Sequence, residues 1–164
     1  MVSVLSFPTY FFVLLLSFFG LYVGVLLGFL AREERKIKKY YHLLKFFIIL
    51  IILFYLFISY IDDWLLLAIF LFFAGITILV AKIPDPLLYA SLGIVYFLAT
   101  SSTMLFFAQS LLIFLLGLSL GTLFVADAET KYSSYRQAFL ALHWSYGWYL
   151  LVAAACYVIA LFLF

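Results

Sequence analysis

Apolar residues run along this chain in long stretches broken by short polar clusters, with no sustained strand-like alternation. A helix needs about 20 apolar residues to cross the hydrocarbon core of a bilayer. Six stretches approach that length, at approximately residues 10–30, 43–60, 64–80, 87–100, 104–126 and 138–164. The fourth is short, which predicts tilt or a position between other helices, and the sixth is longer than one crossing requires.

The breaks carry helix-end chemistry. Pro8 sits ahead of the first span, where proline is tolerated. Asp62 and Asp63 precede Trp64, so a carboxylate can cap the third span. In Pro84-Asp85-Pro86 the first proline breaks the ladder, Asp85 is the expected cap and Pro86 suits a first-turn position. Ser101-Ser102-Thr103 offers hydroxyl caps, and Ser134 with Gln137 has the spacing of a capping box. The expected fold is all-α: one membrane-embedded domain over residues 1–164, a compact six-transmembrane-helix bundle with short loops.

Composition sharpens this picture. Of 164 residues, 70% are hydrophobic and 10% charged, against about 45–50% and about 25% in soluble domains. That excludes a soluble globular domain, a disordered segment and a nucleic-acid binder. Six spans take about 120 residues and leave no length for a second domain. Cys156, the one cysteine, lies in an apolar run and is expected to be inert.

Charge sets the orientation. Arg32, Arg35, Lys36, Lys38, Lys39 and Lys45 lie in or beside the first loop, Lys82 in the third, and Lys131 and Arg136 in the fifth. With six spans all nine basic residues fall on one side. The positive-inside rule makes that side cytoplasmic, in a multi-pass protein of the cell membrane with both chain ends outside. Arg32, Arg35, Lys36, Lys38 and Lys39 are also candidates for anionic lipid headgroups. A topology anchor is the simpler reading of the same residues.

Gly20, Gly24 and Gly28 form a stripe on the first span, and Gly117 and Gly121 another on the fifth. Such stripes let backbones approach closely, either within the bundle or between subunits. Gly20-Leu-Tyr-Val-Gly24 also echoes Gly117-Leu-Ser-Leu-Gly121, with Ala31 matching Ala128 and Leu43 matching Leu140 at the same offset. Gly75 begins a fainter third copy, so the chain reads as hairpin repeats.

Few residues within the spans can carry chemistry. Thr77, Gln109, Ser119, Thr122 and His143 are the candidates for a substrate path, and an ionisable residue inside a span is a site hypothesis by default. No Asp or Glu falls mid-span. There is no HExxH, GxSxG, phosphate-binding loop or Cys/His cluster. The chain is therefore expected to be no enzyme and to need no catalytic residue, metal or cofactor. Two functional classes stand. One is a small transporter or channel, or a lipid-handling protein, for a neutral or amphipathic substrate. The other is a non-catalytic scaffold subunit of a membrane complex. Membrane lipids, a second copy or another membrane protein are the expected partners, and nucleic acid is not.

Overall fold

The computed structural model describes residues 6–30, 38–58, 83–127 and 135–163. They form helices α1 (Phe7–Leu30), α2 (Lys38–Ile58), α3 (Asp85–Leu98), α4 (Thr103–Asp127), α5 (Tyr135–Tyr146) and α6 (Trp148–Leu163). A short 3-10 turn, Ala99–Ser101, follows α3. No strand occurs among the described residues.

Four stretches are long and apolar enough to cross a membrane: Phe7–Leu30, Lys39–Leu56, Thr103–Ala126 and Arg136–Phe162. The chain is thus an α-helical bundle of the kind membrane proteins form. Helix α3 has 14 residues, about 21 Å of rise, which is short of a full hydrocarbon core. The third expected span, with Asp62, Asp63, Gly75 and Thr77, lies outside the described residues, as do Lys82, Lys131 and Ser134.

Pairings between side chains and backbones fix the helix directions. Gly20, Gly24 and Gly28 of α1 meet Phe114, Leu118 and Thr122 of α4 in the same order, so these helices run parallel. Tyr10, Ser17 and Tyr22 of α1 meet Ala153, Tyr149 and His143, so α5 and α6 run antiparallel to α1. Lys45 pairs with Asp85 near the starts of α2 and α3. Leu56 packs with Ala99 and Val95 near their ends, so α2 and α3 run alongside each other in one direction.

Helix α1 packs on α4, α4 on α2, α3 on α6 and α6 on α1, and the Lys45–Asp85 pair joins α2 to α3. The main core draws buried residues from all six helices.

Several local expectations are corrected. The sixth stretch is apolar throughout Arg136–Phe162, with Gly147 as a single turn residue between α5 and α6. The Gly147 amide donates to the His143 carbonyl at 2.8 Å, and its own carbonyl accepts from Leu150 at 3.1 Å and Leu151 at 3.4 Å. A Cβ at 147 would stand 2.6 Å from the His143 carbonyl oxygen, so a side chain there would force a local shift. Asp85 does not cap α3: Pro84 holds the N-cap position with no side-chain bond, and the Asp85 carboxylate turns to Lys45. Helix α2 begins at Lys38, so Lys38 and Lys39 belong to the helix and not to the loop before residue 43, and Arg136 likewise lies in α5. By contrast, the break at Ser101–Thr103 is present, with Ser102 extended between α3 and α4.

The glycine echo has a packing cause. Ninety-seven residues separate Gly20 from Gly117 and Gly24 from Gly121, and both pairs lie on the one seam where α1 meets α4. Away from the seam, positions at that offset have opposite surroundings. Tyr10 and Phe18 are buried where Phe107 and Leu115 are exposed, and Phe12 is exposed where Gln109 is buried. Two parallel helices sharing one close contact need small residues at matching heights, which yields the echo without equivalent environments.

Candidate functional site

Buried hydroxyls occur on α1, α3, α4 and α6, from Tyr10, Ser17, Tyr89, Tyr96, Ser110, Ser119 and Tyr149, within a core that is otherwise aliphatic and aromatic. Placing so many hydroxyls in an apolar interior is costly unless each finds a partner.

Most do. The Tyr10 hydroxyl donates to the Ala153 carbonyl at 2.9 Å, and the Tyr96 hydroxyl to the Tyr10 carbonyl at 2.8 Å. The Ser17 hydroxyl donates to the Leu14 carbonyl at 2.8 Å. Its proton is thereby engaged, so the Tyr149 hydroxyl donates to Ser17 Oγ across 2.9 Å. The rings pack at angles that suit their quadrupoles, Tyr10 on Tyr96 at 5.0 Å and Tyr96 on Phe106 at 5.0 Å.

Tyr89 is the exception. It is fully buried, with Tyr149 and Tyr146 at ring-centre distances of 4.9 and 5.8 Å, yet its hydroxyl has no hydrogen-bond partner. Gln109 is half an exception: its Nε2 donates to the Ile52 carbonyl at 2.8 Å, clamping α4 to α2, while Oε1 is buried without a partner.

The path candidates do not converge. Gln109 faces α2, whereas Thr122 faces α1 and shares its proton between the Leu118 carbonyl at 2.9 Å and the Gly24 carbonyl at 3.2 Å. Ser119 is buried and bonds back to the Leu115 carbonyl. His143 lies on the outer surface of α5, where Nδ1 and the Tyr22 hydroxyl are hydrogen-bonded at 2.8 Å. Gln109 and Thr122 act as interhelical bonds of the kind that hold membrane bundles together, worth about 1 kcal/mol each. Thr77 lies outside the described residues.

All five stripe glycines sit on the α1–α4 seam. A Cβ on Gly20, Gly24 or Gly121 would strike the carbonyl oxygen of Phe114, Leu118 or Leu21. One on Gly117 would lie 2.9 Å from the Leu21 nitrogen, and one on Gly28 3.1 Å from Val125 Cβ. Of the headgroup candidates, Lys39 is exposed at the start of α2. Arg32, Arg35 and Lys36 lie outside the described residues, and for Lys38 only the backbone is described. No group of three or more His, Cys, Asp or Glu suited to a metal occurs among the described residues.

Composition and spacing do not reveal the buried tyrosines, although a signal exists. Tyr89 and Tyr96 are seven residues apart, and Tyr146 and Tyr149 three apart, which are one-face spacings within spans. Tyrosine in a membrane helix is ordinarily read as an interfacial anchor, and that reading hides a core role. Comparison with known protein families, curated proteins and solved structures finds no match for this chain.

Proposed function

We propose that this chain is a six-crossing membrane protein that carries or handles a neutral or amphipathic molecule. The observation that carries the reading is the set of buried hydroxyls of Tyr10, Ser17, Tyr89, Tyr96 and Tyr149 within an otherwise aliphatic and aromatic core. Such an interior suits a hydrocarbon bearing an uncharged polar group, and its buried Lys45 is already neutralised by Asp85. The helix directions support six crossings. Helices α2 and α3 both start near the level of the Lys45–Asp85 pair, the arrangement expected if one further crossing separates them. Under the positive-inside rule the end bearing Lys39 and Arg136 is cytoplasmic.

The test is reconstitution into phosphatidylcholine vesicles, with two readouts: leaflet exchange of a fluorescent phospholipid, and glycerol permeation followed by vesicle swelling. One of the two is expected to exceed the protein-free rate by about tenfold. Gln109→Leu is expected to slow it while the melting temperature in detergent shifts little. The substitution loses one hydrogen bond of about 1 kcal/mol but also removes a buried acceptor that lacks a partner. A Gln109→Leu protein with unaltered flux would remove that residue from the site.

A second reading, a scaffold subunit, is favoured by one observation. Trp144 and Trp148 are 80% and 61% exposed on adjoining turns of α5 and α6, and aromatic residues of this kind anchor partner helices as well as interfaces. If both vesicle assays match protein-free controls and purification from native membranes in mild detergent yields a stoichiometric partner, the scaffold reading replaces the first.

A further inference from the structure

Trp144 and Trp148 stand at an unusual depth. In membrane proteins tryptophan gathers at the two headgroup levels, where its ring is half solvated. The apolar stretch Arg136–Phe162 has 27 residues, about 40 Å of helical rise. Trp148 lies about 18 Å from its start and about 21 Å from its end, and Trp144 about 12 Å from its start. Helix α1 gives the same level independently, since Ser17, near the middle of its 24 residues, is hydrogen-bonded to Tyr149. Both indoles therefore fall inside a hydrocarbon core of about 30 Å and not at its edges.

They also face away from the bundle. Leu142, Tyr146, Tyr149 and Ala153 form the buried stripe of α5 and α6, while Leu140, Trp144, Trp148 and Leu151 form an exposed one at the same three- and four-residue spacings. Neither indole N–H has a hydrogen-bond partner among the described residues. An indole N–H can only donate, and lipid chains offer no acceptor. A phenylalanine or leucine would meet lipid without that cost, and Phe12 and Leu111 hold such outward positions on α1 and α4. His143 borders the same stripe, exposed, with Nδ1 bonded to the Tyr22 hydroxyl. With that hydroxyl as the donor, the ring proton lies on Nε2 and supplies a third donor.

We propose that the outward stripe of α5 and α6 docks a transmembrane helix of a second membrane protein, one that presents hydrogen-bond acceptors at mid-depth: a Ser, Thr, Asn or Gln side chain, or a carbonyl freed at a helix break. Two copies of this chain meeting through the same stripe would set the donors of Trp144, Trp148 and His143 against one another and leave them unsatisfied. This contact extends the second functional reading and requires only that the chain crosses a membrane, whether or not it carries a substrate.

Two measurements test it. The first is depth. Trp64→Phe protein, which keeps only Trp144 and Trp148, is placed in vesicles of phosphatidylcholine brominated either near the headgroup or near the chain ends. Chain-end bromine is expected to quench the indole fluorescence more strongly. Stronger quenching by headgroup-level bromine would make both residues interfacial anchors and overturn the proposal. The second is contact. A p-benzoylphenylalanine is placed at Leu151 and, as an outward control, at Leu111, and each protein is photolysed in its native membrane. Leu151 is expected to give an adduct with one protein, mapping to a membrane-spanning segment that carries an acceptor side chain or a helix break, and Leu111 none. Trp144→Phe/Trp148→Phe is expected to cut the Leu151 adduct about tenfold, the loss that removing a desolvated hydrogen bond produces. Its melting temperature in detergent should match wild type, because neither indole enters the core. Adducts with lipid alone, with a second copy of this chain, or with a protein whose adduct survives the double substitution would each overturn the docking. Deep quenching in those cases leaves the membrane crossing intact, so the two failures are distinguishable.

Discussion

Replacing Gly24 with isoleucine is expected to unfold the bundle. The Cβ position at Gly24 already overlaps the Leu118 carbonyl oxygen, and the facing Gly121 is equally tight against the Leu21 carbonyl. Both obstacles are backbone, so no rotamer change relieves them. The two helices must separate along their length, and the dispersion contacts of the seam go with them. Overpacking a core costs about 1–3 kcal/mol when side chains can yield. Here the cost should lie at or above that upper end, because they cannot. The readout is the monodisperse fraction in fluorescence-detected gel filtration and the melting temperature of whatever survives. Gly28→Ala provides a graded control, since its closest neighbour is the Val125 side chain at 3.1 Å, which can shift a few tenths of an ångström. A Gly24→Ile protein that elutes and melts like wild type would show that α1 and α4 do not meet as described. Were the stripe instead a seam between subunits, the variant would release a partner and remain folded.

The second large effect concerns Lys45 and Asp85, which meet at 2.8 Å with unequal exposure, 8% for the lysine side chain and 29% for the aspartate. That inequality makes the two single substitutions unequal. Asp85→Asn strands an ammonium group that is almost wholly enclosed beside the Phe46 ring. Lys45→Met strands a carboxylate that still reaches solvent and lies in the first turn of α3, where the helix dipole favours negative charge. Removing one partner of a fully buried pair costs about 3–5 kcal/mol. Asp85→Asn is expected near the lower end of that range, and Lys45→Met at roughly half of it. The double variant Lys45→Met/Asp85→Asn should recover much of the loss, since no charge is then left enclosed. Thermal melts of the four proteins in one detergent give the comparison. Equal single losses that simply add would mean that the pair is not formed.

Much of the helical plan was legible from residue order. Runs of apolar residues marked α1, α2 and α4 to within a few positions, and Ser101–Thr103 marked the turn between α3 and α4. Glycines at four-residue spacing announced a close helix contact, though spacing alone does not choose between an internal seam and a subunit interface. The turn at Gly147 is not legible in the sequence, because a single glycine inside an apolar run is compatible with a continuous helix. The role of Asp85 was misread for a related reason. An acidic residue beside two prolines is a sound local cap, and only the approach of α2 supplies a stronger partner. The path candidates illustrate the same limit. Gln109, Ser119 and Thr122 share one helix, but their azimuths and neighbours send them to different contacts.

What the sequence by itself determined is the class of structure: an all-helical bundle, too apolar for water, with its basic residues gathered between α1 and the start of α2, before α3, and between α4 and the start of α5, apart from Lys45 within α2. Those properties follow from composition and from one-dimensional spacing, which set hydration energy and helix length before any tertiary contact forms. Which helices touch was decided only in the tertiary structure. There the α1–α4 seam became internal, Lys45 found Asp85, and tyrosines that could have sat at the interface turned into the core. The physical reason is that a buried polar atom is costly without a partner, and one that is not satisfied within its own helix needs another helix to supply it. Which partner is within reach depends on azimuth and depth, which residue order alone does not specify.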